Sequence, residues 1–208
     1  MLQKLYDKYV CPHLINYAMQ MKPFRKQREK VIPSASGRVL EIGIGSGLNF
    51  NYYNKENVSE VFAVEPDRIL LEKAQQNAKI NNINLNVQQL KAEELPFDNN
   101  SFDTIISTYT MCSIPGLSSA MSEINRVVKP SGKLLFSEHG KSPDMNVFKW
   151  QKRMNGIQKR IAGGCHLDVD IPNEIIKANF KLNKIDSMYV PGPKFLSYHY
   201  WGVASPLK

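Results

Sequence analysis

The chain has little cysteine: three residues in 208, at Cys11, Cys112 and Cys165. An odd, widely spaced set offers neither a disulfide framework nor the clustered spacing of a zinc site. Long apolar runs are missing as well. No stretch approaches the roughly 20 consecutive apolar residues that a membrane-spanning helix needs. The opening Met1-Leu2-Gln3-Lys4-Leu5-Tyr6-Asp7-Lys8 is too mixed in charge for a secretory signal. These absences predict a cytoplasmic, reduced protein without a bound metal. No aromatic-rich basic strand is present either, which argues against nucleic acid as the partner.

What is there fits one globular domain: 42% hydrophobic and 22% charged residues, in a length that can bury a sizeable core. The formal charge is +8. Lys22, Arg25, Lys26, Arg28 and Lys30 form one basic cluster, and Lys149, Lys152, Arg153, Lys159 and Arg160 a second. Each reads either as a solvated helix face or as a surface that contacts an anionic membrane.

The pattern of elements is more informative. The first 30 residues or so have helical spacing at Leu2, Leu5, Tyr6, Tyr9 and Val10, divided by Pro12 and Pro23. Strands are expected at about 38–42, 60–65, 85–90, 102–107 and 133–137, with a helix opening near Leu48. Further helices are expected through Leu70, Leu71, Ala74 and Ala78, capped by Asp67, and at about 117–128, 145–161 and 173–178. Segments 181–189 and 194–203 read as two last strands joined across Pro191-Gly192-Pro193. Alternating strands and helices imply a doubly wound α/β sheet, and the short final connection implies one antiparallel strand among seven. In such a sheet the ligand lies beyond the carboxyl ends of the strands. The loops after Ile42, Val64, Leu90, Ser107 and Ser137 would then surround one site.

The first of those loops is Gly43-Ile44-Gly45-Ser46-Gly47, following the apolar run Val39-Leu40-Glu41-Ile42. Glycines there let the backbone turn and approach a ligand. A dinucleotide fingerprint would need its third glycine at position 48, which is Leu48, so a nicotinamide-linked dehydrogenase is disfavoured. Glu65 ends the second strand 22 residues after Gly43, where a carboxylate can accept hydrogen bonds from ribose hydroxyls. The intact glycines and Glu65 argue against a non-catalytic relic of the fold. Lys91-Ala92-Glu93-Glu94-Leu95-Pro96-Phe97 could cover a flat ring, or its Leu95-Pro96-Phe97 end could be a packed turn.

Leu40-Glu41-Ile42-Gly43-Ile44-Gly45-Ser46-Gly47, Ala63-Val64-Glu65-Pro66, Ala92-Glu93-Glu94-Leu95-Pro96-Phe97, Ser101-Phe102-Asp103 and Glu123-Ile124-Asn125-Arg126-Val127-Val128-Lys129-Pro130-Ser131-Gly132 follow one another along the chain. Together they resemble the class I S-adenosylmethionine-dependent methyltransferases. That resemblance implies a Rossmann-like domain over 1–208, with a helical cap at about 1–32, and S-adenosylmethionine as cofactor with S-adenosylhomocysteine as product. It also implies that Gly43, Gly45 and Gly47 approach the methionine part, that Glu65 binds ribose, and that Ala92 and Glu93 border adenine. Glu41, Pro66 and Ser107 complete the expected cofactor contacts. Many relatives carry Asp where Lys91 stands; lysine only donates, so that contact to adenine is absent or comes from backbone.

Cys112-Ser113, Ser137-Glu138-His139, Gly164-Cys165-His166-Leu167 and Tyr198-His199-Tyr200-Trp201-Gly202-Val203-Ala204 resemble more narrowly the branch that contains alkyl-thiol methyltransferases, whose mammalian members carry an N-terminal membrane anchor. The acceptor implied is a small molecule, a thiol or apolar metabolite, with phospholipid head groups and quinones as alternatives. His139 is the candidate general base, or else a structural hydrogen-bonder at a strand end. His166, after Gly163-Gly164, and Tyr6 with Tyr9 could form lids or simply pack. No spaced Cys/His partner marks Cys112 or Cys165 as a nucleophile, and both are expected to pack rather than react. The acceptor pocket is expected to be mainly apolar, with walls from the N-terminal helices and 145–161.

Overall fold

A computed structural model describes residues 2–208. The N-terminal stretch forms three helices, α1 (Leu2–Tyr9), α2 (Cys11–Met19) and α3 (Lys22–Val31). Pro12 and Pro23 stand in the first turns of α2 and α3. There the missing N–H is harmless, because the first turn has no internal acceptor for it. The remaining elements are β1 (Gly37–Ile42), β2 (Val58–Val64), α4 (Arg68–Ile80), β3 (Leu85–Gln88), β4 (Phe102–Thr108), α5 (Leu117–Val127), β5 (Val128–His139), α6 (Met145–Ile161), α7 (Ile171–Lys177), β6 (Phe180–Tyr189) and β7 (Tyr198–Pro206).

All seven strands join one sheet in the order β3-β2-β1-β4-β5-β7-β6. The first five run parallel, and β7 lies antiparallel to both of its neighbours. One strand therefore runs against the other six, as the short β6–β7 connection requires. Strand alternation sends side chains to two cores. Leu40, Ile42, Ile105, Leu134 and Phe136 meet α5 and α7 on one face. Val39, Val61, Ala63, Ile106 and Leu135 meet Val31 of α3, Ala74 and Ala78 of α4, and Phe50 on the other. Burial on both faces explains the near-continuous apolar runs of the central strands. Asp67 caps α4 by accepting from the Leu70 N–H at 2.9 Å, a contact of the kind worth about 1 kcal/mol.

Two expectations change. The helix expected near Leu48 is only a turn and a 3-10 segment, Phe50–Tyr52. The turn ends at Tyr53, whose backbone is extended (φ −65°, ψ 132°), and Asn49 and Tyr53 both donate to the buried Glu41, at 2.6 and 2.7 Å. Lys129-Pro130-Ser131-Gly132, between the helix expected to about 128 and the strand expected from 133, is part of β5. Phe102 pairs with Val128 and Thr104 with Lys133, so the excursion is absorbed as a register shift. Among the described residues, no helix is long and apolar enough to cross a membrane.

Candidate active site

The winding reverses where β1 lies between β2 and β4, and open α/β sheets hold ligands beyond the strand ends at such a point. Three adjoining cavities open there. The first, of about 160 Å³, is bordered by Glu41, Gly43, Gly45, Asn49, Glu65 and Thr108. The second, of about 230 Å³, shares Gly43, Pro66 and Thr110 with it and extends to Leu90, Ala92 and Glu93. The third, of about 250 Å³, shares Ile15, Met19 and Tyr109 with the first and reaches Cys112, His139 and Cys165.

The glycine loop is braced from three directions. Its Gly45 N–H donates to Glu65 Oε2 at 2.8 Å, and the Asp67 N–H donates to Glu65 Oε1 at 3.0 Å. The Ser46 hydroxyl donates to Asn16 Oδ1 of α2, and Asn77 Nδ2 of α4 donates to the Ser46 carbonyl at 2.8 Å. Gly45 has φ +57°, and a Cβ built on it would meet nothing within 4 Å. It faces open cavity. Gly47 does not reach the cavities; its bare Cα lets the Phe50 ring close against it.

Glu41 lies at the floor of the first cavity with both carboxylate oxygens engaged, by Asn49 and Tyr53. Burial pushes its pKa up to about 7 against the opposing hydrogen bonds from Tyr53 and Asn49 and the charge of Arg28. Burial likewise raises Glu65, less the N–H donors of Asp67 and Gly45. Asn49 also donates to Thr108 Oγ1 at 3.1 Å, while its own Oδ1 is buried without a partner.

Ser107 is displaced from the expected role. It points to the opposite face of the sheet and donates to Glu138 Oε1 at 2.7 Å. Its neighbour Thr108 faces the first cavity instead, because consecutive strand residues alternate. Glu138, fully buried, also accepts from the Thr110 and Met111 N–H groups and so fixes the turn after β4.

Tyr109 forms the wall between the first and third cavities. It is a non-glycine residue at φ +58°, a conformation that costs roughly 1–2 kcal/mol. Its surroundings hold it there. Arg28 lies over its ring at 5.3 Å, Phe24 meets it edge-on at 5.2 Å, and its hydroxyl sits 3.2 Å from His199 Nδ1. Arg28 is the exception within its basic cluster: only 4% exposed, it enters the first cavity and donates to the Met19 carbonyl at 2.8 Å. The other cationic side chains of α3 gave no signal that one of them was buried.

His139 ends β5 opposite His199 of β7, and both rings border the third cavity. Burial and the nearby charges of His139 and Lys30 push His199 down to about 3, and its Nε2 is buried without a partner. The two cysteines do have partners after all. Cys165 Sγ lies 3.4 Å from Cys112 Sγ and 3.4 Å from His139 Nε2. The Cys165 contact and burial together raise the Cys112 thiol well above its usual range. Sequence spacing missed the group because its members arrive from the turn after β4, the end of β5 and the loop after α6.

The possible lids resolve into packing. The Tyr6 hydroxyl donates to the Ile161 carbonyl at 2.7 Å, Tyr9 is exposed, and neither lines these cavities. It is α2, through Ile15, Asn16 and Met19, that closes the site. The His166 N–H docks its loop on the Cys112 carbonyl at 2.8 Å. Leu95-Pro96-Phe97 is a packed turn, with Leu95 in the core and Phe97 edge-on to Phe102 at 5.0 Å.

A doubly wound sheet with a glycine loop, an acidic residue ending β2 and a cleft at the switch point defines the class of Rossmann-like S-adenosylmethionine-dependent methyltransferases. A family model described as a methyltransferase domain matches residues 40–136. Rat thiol S-methyltransferase TMT1B is 29% identical over 153 residues, 68% of this chain and 59% of that protein. Ubiquinone/menaquinone biosynthesis C-methyltransferase UbiE of Rickettsia prowazekii is 31% identical over 147 residues, 65% of this chain and 57% of that protein. The matches thus span less than two thirds of either relative. Geranyl diphosphate C-methyltransferase of Streptomyces coelicolor, solved with S-adenosylhomocysteine, shares the fold with a TM-score of 0.69 at 15% identity, over 86% of this chain and 78% of that one.

Proposed function

We propose that the protein transfers a methyl group from S-adenosylmethionine to a small thiol held in the third cavity. Bound S-adenosylmethionine supplies an electrophilic methyl group on a sulfonium, which is a good leaving group. The residues present fit it. Gly45 leaves room at the cradle, the Asn49 Oδ1 acceptor has no protein partner, and each Glu65 oxygen keeps a free lone pair beyond its one N–H donor. Glu65 and Pro66 would hold the ribose, and Ala92 and Glu93 would flank the adenine. Gly43 and Gly45 would line the methionine part, with Glu41 acting through Asn49.

One observation carries the acceptor assignment. The third cavity adjoins the cradle across Tyr109, and its lining contains no Lys, Arg, Asp or Glu. At about 250 Å³, it lies at the small end of ligand sites. Its walls come from α2, Phe24, the end of α6 and the β6–β7 connection, which favours a small, apolar acceptor over a macromolecule. The sulfur-bearing rim and the likeness to a thiol S-methyltransferase favour a thiol over a quinone or phospholipid head group. Ionisation of that thiol falls to His139, since His199 is too weak a base at about 3. Alignment and exclusion of water complete the work.

The test is calorimetry with S-adenosylhomocysteine and with NAD, followed by mass spectrometry of small alkyl thiols, quinones and lipid extracts incubated with the cofactor. Thioether formation is expected. Methylation confined to quinones or lipids would overturn the acceptor, and absence of S-adenosylhomocysteine binding would overturn the whole reading.

A peripheral contact with anionic membrane is the second reading. Leu5, Tyr9, Leu14 and Tyr17 are about half exposed or more, as are Trp150, Ile157 and Ile161 of α6. Gln3 Nε2, donating to the Arg160 carbonyl at 2.9 Å, sets α1 against the end of α6, with Lys4, Lys8, Lys159 and Arg160 close by in sequence. Apolar and cationic groups side by side suit an interfacial surface. Co-sedimentation with phosphatidylserine vesicles, weakened by Leu5→Asp with Tyr17→Asp, would support it; equal pelleting of both forms would not.

A further inference from the structure

Cys112, His139 and Cys165 place their ligand-type atoms within 4.8 Å of one another. Zinc–sulfur bonds of about 2.3 Å and zinc–nitrogen bonds of about 2.0–2.1 Å put tetrahedral ligands roughly 3.6–3.8 Å apart. The two measured edges, Sγ–Sγ and Sγ–Nε2, are both 3.4 Å. Those two edges would open by a few tenths of an ångström, and the third, Cys112 Sγ to His139, which is at most 4.8 Å, would close by about 1 Å or less to reach the tetrahedral separation.

The placement is built into the fold. Glu138 pins the turn that carries Cys112, the β5–β7 pair sets His139, and the His166 N–H to Cys112 carbonyl bond docks the loop that carries Cys165. Two thiols and an imidazole form a soft donor set, and two thiolates would neutralise a divalent cation. All three residues line the acceptor cavity. A fourth coordination position would therefore open into that cavity. Three protein ligands and one exchangeable position is the arrangement of reactive zinc sites, whereas structural sites are closed by four.

We propose that Cys112, His139 and Cys165 bind a thiophilic divalent cation, zinc foremost, whose fourth ligand is the sulfur of the acceptor thiol. The identity of that fourth ligand rests on the thiol reading above; the cation site itself does not. On ligation the S–H bond breaks, the sulfur keeps the electron pair and forms the bond to the metal, and the proton passes to solvent water. A coordinated thiol is deprotonated at neutral pH. His139 then acts as a ligand that makes the thiolate possible, not as a lone base.

The experiment uses the full chain, kept reduced with a phosphine, stripped of metal and dialysed against Zn²⁺ alone or Co²⁺ alone. About one ion per chain should remain, and the Co²⁺ form should show thiolate-to-metal charge-transfer absorption in the near ultraviolet. Cys112→Ser, Cys165→Ser and His139→Gln should each retain at least tenfold less ion. Cys11→Ser, which alters the cysteine bonded to the Ile161 carbonyl, should match the unaltered protein. S-adenosylhomocysteine binding, measured on the same samples, reports folding. Should the variants lose it, the Co²⁺ spectrum of the unaltered chain decides. Hexanethiol should shift that spectrum as a third sulfur enters. Substoichiometric binding by the unaltered chain, or full binding by folded Cys112→Ser and Cys165→Ser, overturns the site. A Co²⁺ spectrum indifferent to hexanethiol overturns the fourth ligand. Failure of the unaltered chain to bind S-adenosylhomocysteine would instead sink the methyltransferase reading.

Discussion

Glu41 should make this protein less stable as pH rises from mildly acidic to neutral, and Glu41→Gln should remove that dependence. The carboxyl is 1% exposed, and burial lifts its pKa from 4.5 to about 7. Between those values the folded state keeps a proton that the unfolded chain has released, so stability falls with rising pH. At about 1.4 kcal/mol per pH unit, the loss amounts to about 3 kcal/mol. It is absent below pH 4.5 and complete above pH 7. Glutamine preserves the shape and does not titrate. Its oxygen can accept from the Tyr53 hydroxyl, and its NH₂ can donate to Asn49 Oδ1, which has no other partner, once the Asn49 amide turns over. Urea unfolding of both proteins at half-unit steps from pH 4.5 to 8, without cofactor, gives the difference in unfolding free energy. That difference, unaltered protein minus Glu41→Gln, should fall by about 3 kcal/mol across the range. A difference that stays within 1 kcal/mol throughout, or one that rises, would refute the reasoning.

Other perturbations separate the parts of the cleft. Gly45→Ala forces a Cβ onto φ +57°, costing about 1–2 kcal/mol, and pushes it into the cradle. The protein should fold with a slightly lower Tm and bind S-adenosylhomocysteine at least tenfold more weakly by calorimetry. Glu65→Gln replaces one carboxylate oxygen with a donor that faces the Gly45 or Asp67 N–H. Loss of a charged hydrogen bond of about 1.5–3 kcal/mol predicts roughly 10- to 100-fold weaker S-adenosylhomocysteine binding; a change under threefold would remove Glu65 from the cofactor site. Phe24 borders the third cavity, edge-on to Tyr109 and stacked on His199. Phe24→Ala should raise kcat/KM for long alkyl thiols relative to short ones, and an unchanged ratio would show that the acceptor lies elsewhere.

The sheet was legible in the sequence because buried parallel strands need near-continuous apolar runs, and Val61–Val64, Leu134–Phe136 and Val39–Ile42, the last broken only by Glu41, supply them. The antiparallel last strand followed from connection length alone. Where local pattern and long-range contact disagreed, contact prevailed. Glycine and asparagine after β1 would have permitted a helix start, yet the chain makes only a 3-10 turn that ends at the extended Tyr53, with Asn49 and Tyr53 both donating to the buried Glu41. Ser107 shows how fine the remaining margin is. A strand places its neighbours on opposite faces, so an expectation wrong by one residue puts the side chain behind the sheet and Thr108 in the cleft.

The two halves of the cleft differ in how their contacts are encoded. The cradle is built from residues close along the chain: Glu41 lies near the end of β1, Gly43, Gly45 and Asn49 in the loop that follows, and Glu65 just past the end of the adjacent strand. Backbone geometry there demands glycine, and the demand is visible as a motif. The acceptor cavity is assembled from α2, α3, the turn after β4, the end of β5, the loop after α6 and the β6–β7 connection. No two of Cys112, His139 and Cys165 fall within 25 residues of one another, so no spacing rule could join them, and each alone reads as an ordinary buried side chain. The same holds for Arg28, hidden among exposed cations on its helix. A cleft of this kind can exchange acceptors by altering single residues at scattered positions while the cradle stays fixed. Specificity within the family should therefore follow the contents of the third cavity, and His139 with its two cysteines, more closely than overall identity.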